Sequence, residues 1–154
     1  MIYEITTRYS GKVQVKPRVG LSKVKDMMGK ERYGIIIDLD AMDEAYPTPF
    51  ARLTVNFGEF IALKNAAYID TSNGEHFEEL LRQGIAKDTG LTKYGAYSRY
   101  PLWIFEEGFL REHGAENYQK YSDSYDEYYR EVRGSEGMDE DCETKEIEDA
   151  VISF

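Results

Sequence analysis

Cysteine occurs once in these 154 residues, histidine twice and proline four times. A single thiol, Cys142, excludes an internal disulfide framework, and its neighbours Asp139, Glu140, Asp141 and Glu143 disfavour the reactive thiolate. The histidines, His76 and His113, are too far apart for zinc-ligand spacing, and the cysteine is remote from both. A catalytic triad is assembled in space rather than in sequence, but no residue pattern here supports one. The 13 glycines are scattered, with neither GxxxxGK[ST] nor GxGxxG among them, which argues against nucleotide binding by those loops. No stretch approaches the roughly 18 apolar residues of a membrane span. The start, MIYEITTRYS, lacks the charged and apolar regions of a signal peptide, so a cytoplasmic protein is expected.

Acidic residues are plentiful, yet their spacing is wrong for a metal loop. Asp38, Asp40, Asp43 and Glu44 offer oxygen ligands of the kind magnesium and calcium prefer. Counted from Asp38, the fifth position of a calcium loop is Met42 and the sixth is Asp43, where an acid and a glycine are required. These acids read as a solvated loop, and no metal or cofactor is expected.

What the chain does have is apolar and aromatic residues enough for a core: 42% hydrophobic and 14% aromatic. That length and composition suit one domain. Residues 2–9 and 12–16 are β-branched and aromatic around Ser10-Gly11, a hairpin pattern. Residues 21–30 are ambiguous between helix and strand. Tyr33 to Leu39 reads as a buried strand, Phe50 to Phe57 as the cleanest strand, and Phe60 to Leu63 and Ala66 to Asp70 as further apolar pieces. A short helix is expected at His76 to Gln83 with Gly84 ending it, then an extended Tyr94 to Phe105 with an edge or bulge at Pro101. Helices are expected at Glu106 to His113 and, most strongly, at Ala115 to Val132. Strands first and helices later give an α+β domain, a small antiparallel β-sheet packed with two or three helices. That domain is expected over residues 1–133, followed by an acidic tail at 134–154.

Charge is divided unevenly along the chain. Residues 105–154 hold 16 Asp/Glu against 5 Lys/Arg, a net of −11, whereas residues 1–104 are near balance at +1. Such an acidic field repels nucleic acid and attracts basic surfaces. Residues 1–32 are the one basic region, with 8 bases against 3 acids. Lysines alternating on a hairpin are the ordinary solvent face of an edge strand, so direct nucleic-acid binding is not expected.

Within the acidic third, Tyr118, Tyr121, Tyr125, Tyr128 and Tyr129 fall on one helical face. Tyrosine buries a large ring while keeping a polar handle, and is enriched at binding surfaces. Packing against the sheet is expected for at least half of these rings. The remainder, with Asp123, Asp126, Glu127 and Glu131, would form an acidic aromatic contact surface, extended by Asp139, Glu140 and Asp141. A helix of about 18 residues is about 27 Å long, and a duplex presents about 16 charges over that span. From Glu116 to Arg133 the net charge is only −2, so the helix alone is a poor DNA mimic. Residues 134–149, with 8 acids against Lys145, carry most of the excess. Beyond them Ile147, Ala150, Val151 and Phe154 recur at helical spacing, an apolar end that could dock on the domain or in a partner groove.

Three separated blocks carry a resemblance: Ala51 with Leu53 to Asn56, Tyr68 to Asn73, and Thr89-Gly90 with Tyr100 to Phe105. Over about residues 33–110 the chain resembles a small domain-of-unknown-function family carried by conjugative and integrative elements and phages of gut bacteria. It departs from that pattern at Lys87-Asp88, where the family tends to have proline, and adds the Tyr-rich helix and acidic end. The resemblance brings no catalytic residues and implies a mobile-element accessory gene. Joined to the charge split, it leads to the expectation of a non-enzymatic anti-defence inhibitor, anti-CRISPR or anti-restriction. Its partner would be a protein with a basic surface, such as a CRISPR or restriction nuclease. The alternative is an interaction or regulatory module of conjugation with no nuclease target, and a small enzyme using His76 or His113 is the remaining class.

Overall fold

A computed structural model describes residues 1–7, 11–42, 45–71 and 77–136, with side chains described through residue 133. His76, Cys142, Asp43, Glu44 and the expected acidic and apolar stretches after residue 136 lie outside these. The described chain forms two four-stranded antiparallel sheets and three helices, the α+β architecture expected from the sequence.

The first sheet is a meander of β1 (Tyr3–Thr7), β2 (Gly11–Lys25), β3 (Glu31–Ala41) and β4 (Thr48–Arg52). β2 shows why: Val13, Val15, Pro17 and Val19 point inward while Lys12, Gln14, Lys16 and Arg18 face solvent, a period of two. Pro17 sits in this central strand without breaking it. β1 stops at the Tyr3–Val15 pair, so β3 alone flanks Pro17, where it opposes Leu39. The ambiguous segment 21–30 is strand as far as Lys25, then a turn. Asp26 makes that turn, its Oδ1 accepting the N–H groups of Met28 and Lys30, with Gly29 at φ +81°.

The stretch expected to be one strand at 50–57 is two, in different sheets. β4 ends at Arg52 and β5 (Thr54–Val55) opens the second sheet. Between them Leu53, fully buried, donates its N–H to Ile37 O and accepts Asp70 N–H at its carbonyl. One residue thus bonds both sheets and turns the corner between them.

The second sheet has the order β5, β6 (Ala66–Ile69), β8 (Arg99–Phe105), β7 (Ala86–Tyr94). β8 is central, and the bulge lies in its partner β7 between Asp88 and Thr92, opposite the Pro101 region. Residues 60–63 form no strand, and α1 is the short helix Glu78–Arg82.

Helices α2 (Glu107–Gly114) and α3 (Glu116–Glu136) pack on β2 and β3. They meet at Ala115, whose φ of +46° makes the bend. Gly114 permits the approach: a Cβ there would lie 2.9 Å from Val19 Cβ. α3 runs past the expected end at Val132 and through Gly134. One core joins both sheets and the helices, with Ile5, Val15, Ile37, Leu39, Leu53, Ile69, Leu80, Phe105, Leu110 and Tyr118 closed to solvent.

Candidate partner-contact surface on the Tyr-rich helix

The tyrosine stripe of α3 is turned mostly inward. Tyr118 is 0% exposed and Tyr121 3%, so both belong to the core rather than to a contact surface. Their hydroxyls converge on Asn65, a non-glycine residue at φ +66°. Tyr118 donates to Asn65 Oδ1 at 2.8 Å, and Asn65 N–H donates to Tyr121 Oη at 2.8 Å. Burial pushes the Tyr121 phenol well above its ordinary pKa, outweighing the N–H that favours the phenolate. Polar handles thus allow these rings to be buried, because the loop before β6 supplies their partners.

Further along, Tyr125 and Tyr128 are half-buried around Phe60, with centroids 5.8 and 4.4 Å away. Tyr125 donates its hydroxyl to Ala62 O, and the Arg32 guanidinium lies over the Tyr128 ring at 5.4 Å. Tyr129 is held by Arg133, 5.1 Å over its ring.

The exposed carboxylates of α3 meet the chain's own bases. Lys64 Nζ is 3.1 Å from Asp126, and Lys30 Nζ lies 3.3 Å from Glu127 and 2.6 Å from Glu131. Glu131 also takes Arg32, whose side chain is only 3% exposed and whose Nε holds Asp26 Oδ2 at 3.0 Å. Hydrogen bonds from Lys30, then Arg32, push the Glu131 carboxyl down to about 2. Asp26 is lowered too: burial would raise it, but the Lys30 N–H, Arg32 and the Met28 N–H outweigh that. Asp123 accepts Gln119 Nε2 at 2.9 Å. The helix that looked like an acidic tool is, through Glu127 and Glu131, an electrostatic clamp on the β2–β3 hairpin, while Asp126 holds the loop before β6. Arg32, one of the eight bases of residues 1–32, is its buried centre. Asp139, Glu140 and Asp141 fall outside the described residues.

Other candidate groups resolve simply. Asp38 and Asp40 are strand residues paired with Arg52 and Arg18 across the first sheet. Among the described residues no three His, Cys, Asp or Glu side chains gather to hold a metal. The His113 ring is closed off from solvent between Tyr3 and Phe109, hydrogen-bonded to the Pro17 backbone. Burial depresses its pKa, against the opposing charge of Glu112. Among the described residues no helix is long and apolar enough to cross a membrane.

An aromatic surface that sequence reasoning missed lies on the β7–β8 hairpin. Phe57, Tyr68 and Tyr100 cluster edge-on at 5.6 and 5.2 Å, with Lys93 Nζ 4.5 Å over Phe57. Beside them Leu91, Tyr94 and Tyr97 are exposed, Tyr97 completely. Its only sequence signal was the density of tyrosine between 94 and 100. Comparison of the chain with known protein families, with curated proteins and with solved structures finds no match.

Proposed function

We propose that this protein is a non-enzymatic, cytoplasmic anti-defence factor of a mobile element, inhibiting a CRISPR or restriction nuclease by occupying its basic nucleic-acid surface. The carrying observation is that three acids of α3 are matched within the chain, whereas the sequence after the helix is strongly acidic. Asp126, Glu127 and Glu131 are matched by Lys64, Lys30 and Arg32 of the same chain. Residues 137–154 contain 7 acids against Lys145 alone, and that excess is what a basic partner would meet. The resemblance of residues 33–110 to a mobile-element family supports the setting, and a nuclease channel supplies the positive field that an acidic segment seeks.

The contact surface in this reading is narrower than the stripe. It comprises the exposed Asp123 with Asp139, Glu140 and Asp141, while Tyr118 and Tyr121 hold the helix in place and Asp126, Glu127 and Glu131 are engaged within the chain. The test is cleavage by a CRISPR effector and a restriction enzyme of the host, titrated with the purified full chain. Stoichiometric inhibition supports the proposal. Absence of both binding and inhibition removes its basis, and capture of relaxase or coupling machinery instead would favour a conjugation module.

A further inference from the structure

Among the described residues the outer edge of β7 is an unfilled strand position. β7 ends the second sheet, with β8 on one side only. Gly95 N–H donates to Ser98 O at 2.8 Å, which closes a two-residue turn and fixes the alternation along the hairpin. The pairs Tyr94–Arg99 and Thr92–Pro101 are then the non-hydrogen-bonded ones, in keeping with a proline that has no N–H to exchange. The N–H and C=O groups of Thr92 and Tyr94 therefore point away from β8, to the open edge. No strand among the described residues takes them. Around them stand exposed Leu91, Tyr94 and Tyr97. Lys87 and Arg99 enter no ion pair among the described residues, Asp88 is engaged by the Gly90 N–H, and Glu59 by Lys93.

We propose that residues 137–154 of this chain lie along that edge, with Ala150 to Phe154 adding to β7 as a strand and the acids before them facing Lys87 and Arg99. Three observations select this occupant. Its charge is complementary, with 7 acids and one lysine, and Val151, Ile152 and Phe154 are β-branched and aromatic. The end of α3 is linked to β7 by a relay of contacts: Glu131 holds Lys30 at the β2–β3 hairpin, Lys25 of that hairpin bridges Glu59, and Glu59 pairs with Lys93 of β7. The thirteen residues 137–149 that would span the gap reach about 43 Å when extended. An open edge strand with apolar side chains is moreover a liability that folded proteins cover. The inference needs no nuclease, so it stands or falls apart from the proposed function. If both hold, a basic partner must compete with Lys87 and Arg99 for the acidic segment.

The sole cysteine supplies the test. A nitroxide on Cys142 of the full chain, in dilute solution, should broaden the amide resonances of Leu91, Tyr94 and Tyr97. Thr92→Pro removes an edge donor while leaving the β8 ladder intact, and should abolish that broadening. In the unlabelled wild-type chain the Tyr94 amide should exchange at least about tenfold more slowly than the Ala96 amide in the turn. No broadening in the folded wild-type chain overturns the proposal. So does broadening that appears only when labelled chains are mixed with isotope-enriched unlabelled ones, since the occupant would then be a second copy.

Discussion

Arg32 and Glu131, 99 residues apart in sequence, form an ion pair that fastens the β2–β3 hairpin to the second half of α3. The guanidinium is buried and shared with Asp26, so its loss leaves Asp26 closed from water without its counter-charge. Breaking a buried pair from one side costs about 3–5 kcal/mol. Arg32→Met should therefore lower stability by about that amount in urea unfolding. Asp26→Asn combined with Arg32→Met should recover part of the loss. Equal destabilisation by the single and double variants would contradict the clamp.

The same clamp makes stability depend on acid. Glu131 has a folded pKa of about 2, held there by Lys30 and Arg32, below the ordinary glutamate value of 4.5. A depressed carboxylate contributes fully above its unfolded pKa and loses that contribution as pH falls through the folded one. Melting temperature should fall between about pH 4.5 and pH 2, and Glu131→Gln should flatten that part of the decline. Carboxyl chemical shifts of Glu131 across the titration report the group directly.

Gly114 should reverse the usual helix rule. Alanine in place of a helical glycine normally gains about 1 kcal/mol. Here the new Cβ would meet Val19 Cβ at 2.9 Å, Val19 Cγ1 at 3.0 Å and Tyr118 Cβ at 3.3 Å. Overpacking of this kind costs about 1–3 kcal/mol, so Gly114→Ala should destabilise. Adding Val19→Ala removes the Cγ1 contact but keeps the Cβ, so it should recover only part of the loss and add a cavity cost of its own; denaturant midpoints for the three variants would resolve the two effects.

Tyr121 and Asn65 separate folding from binding. Tyr121→Phe removes the acceptor of the Asn65 N–H in a part-buried site, a loss of about 1–3 kcal/mol. Because the ring faces the core, the folded variant should bind a partner as the wild type does. A changed dissociation rate with unchanged stability would return Tyr121 to the contact surface.

Much of the fold was legible because alternation and turn residues are local signals. Val13 and Val15 against Lys12 and Lys16 mark the first part of β2, whose continuation to Lys25 is ambiguous in the sequence, and the apolar 33–39 run marks β3. The end of β7 was not legible, since Ala86 to Lys93 is polar, carries Gly90 and gains its order from pairing with β8. Nor was the break at Leu53, where apolar continuity hides a change of sheet. For the candidate surface, periodicity placed Tyr118 to Tyr129 on one helical face without saying which way it points. That depended on Asn65 and Ala62, distant residues that give buried hydroxyls their partners. Likewise Asp126, Glu127 and Glu131 counted as free charge until Lys30, Arg32 and Lys64 were seen opposite them.

In the proposed function an acidic end, rather than a tyrosine face, brings this protein to a basic nuclease. The most direct measurement is nuclease inhibition and association rate for the wild type and for a variant with Asp139, Glu140 and Asp141 changed to Lys. The wild type should inhibit, and charge reversal should slow association about tenfold or more at low salt with little change in release. Inhibition that survives the reversal unchanged, or none by the wild type, would contradict the proposed function.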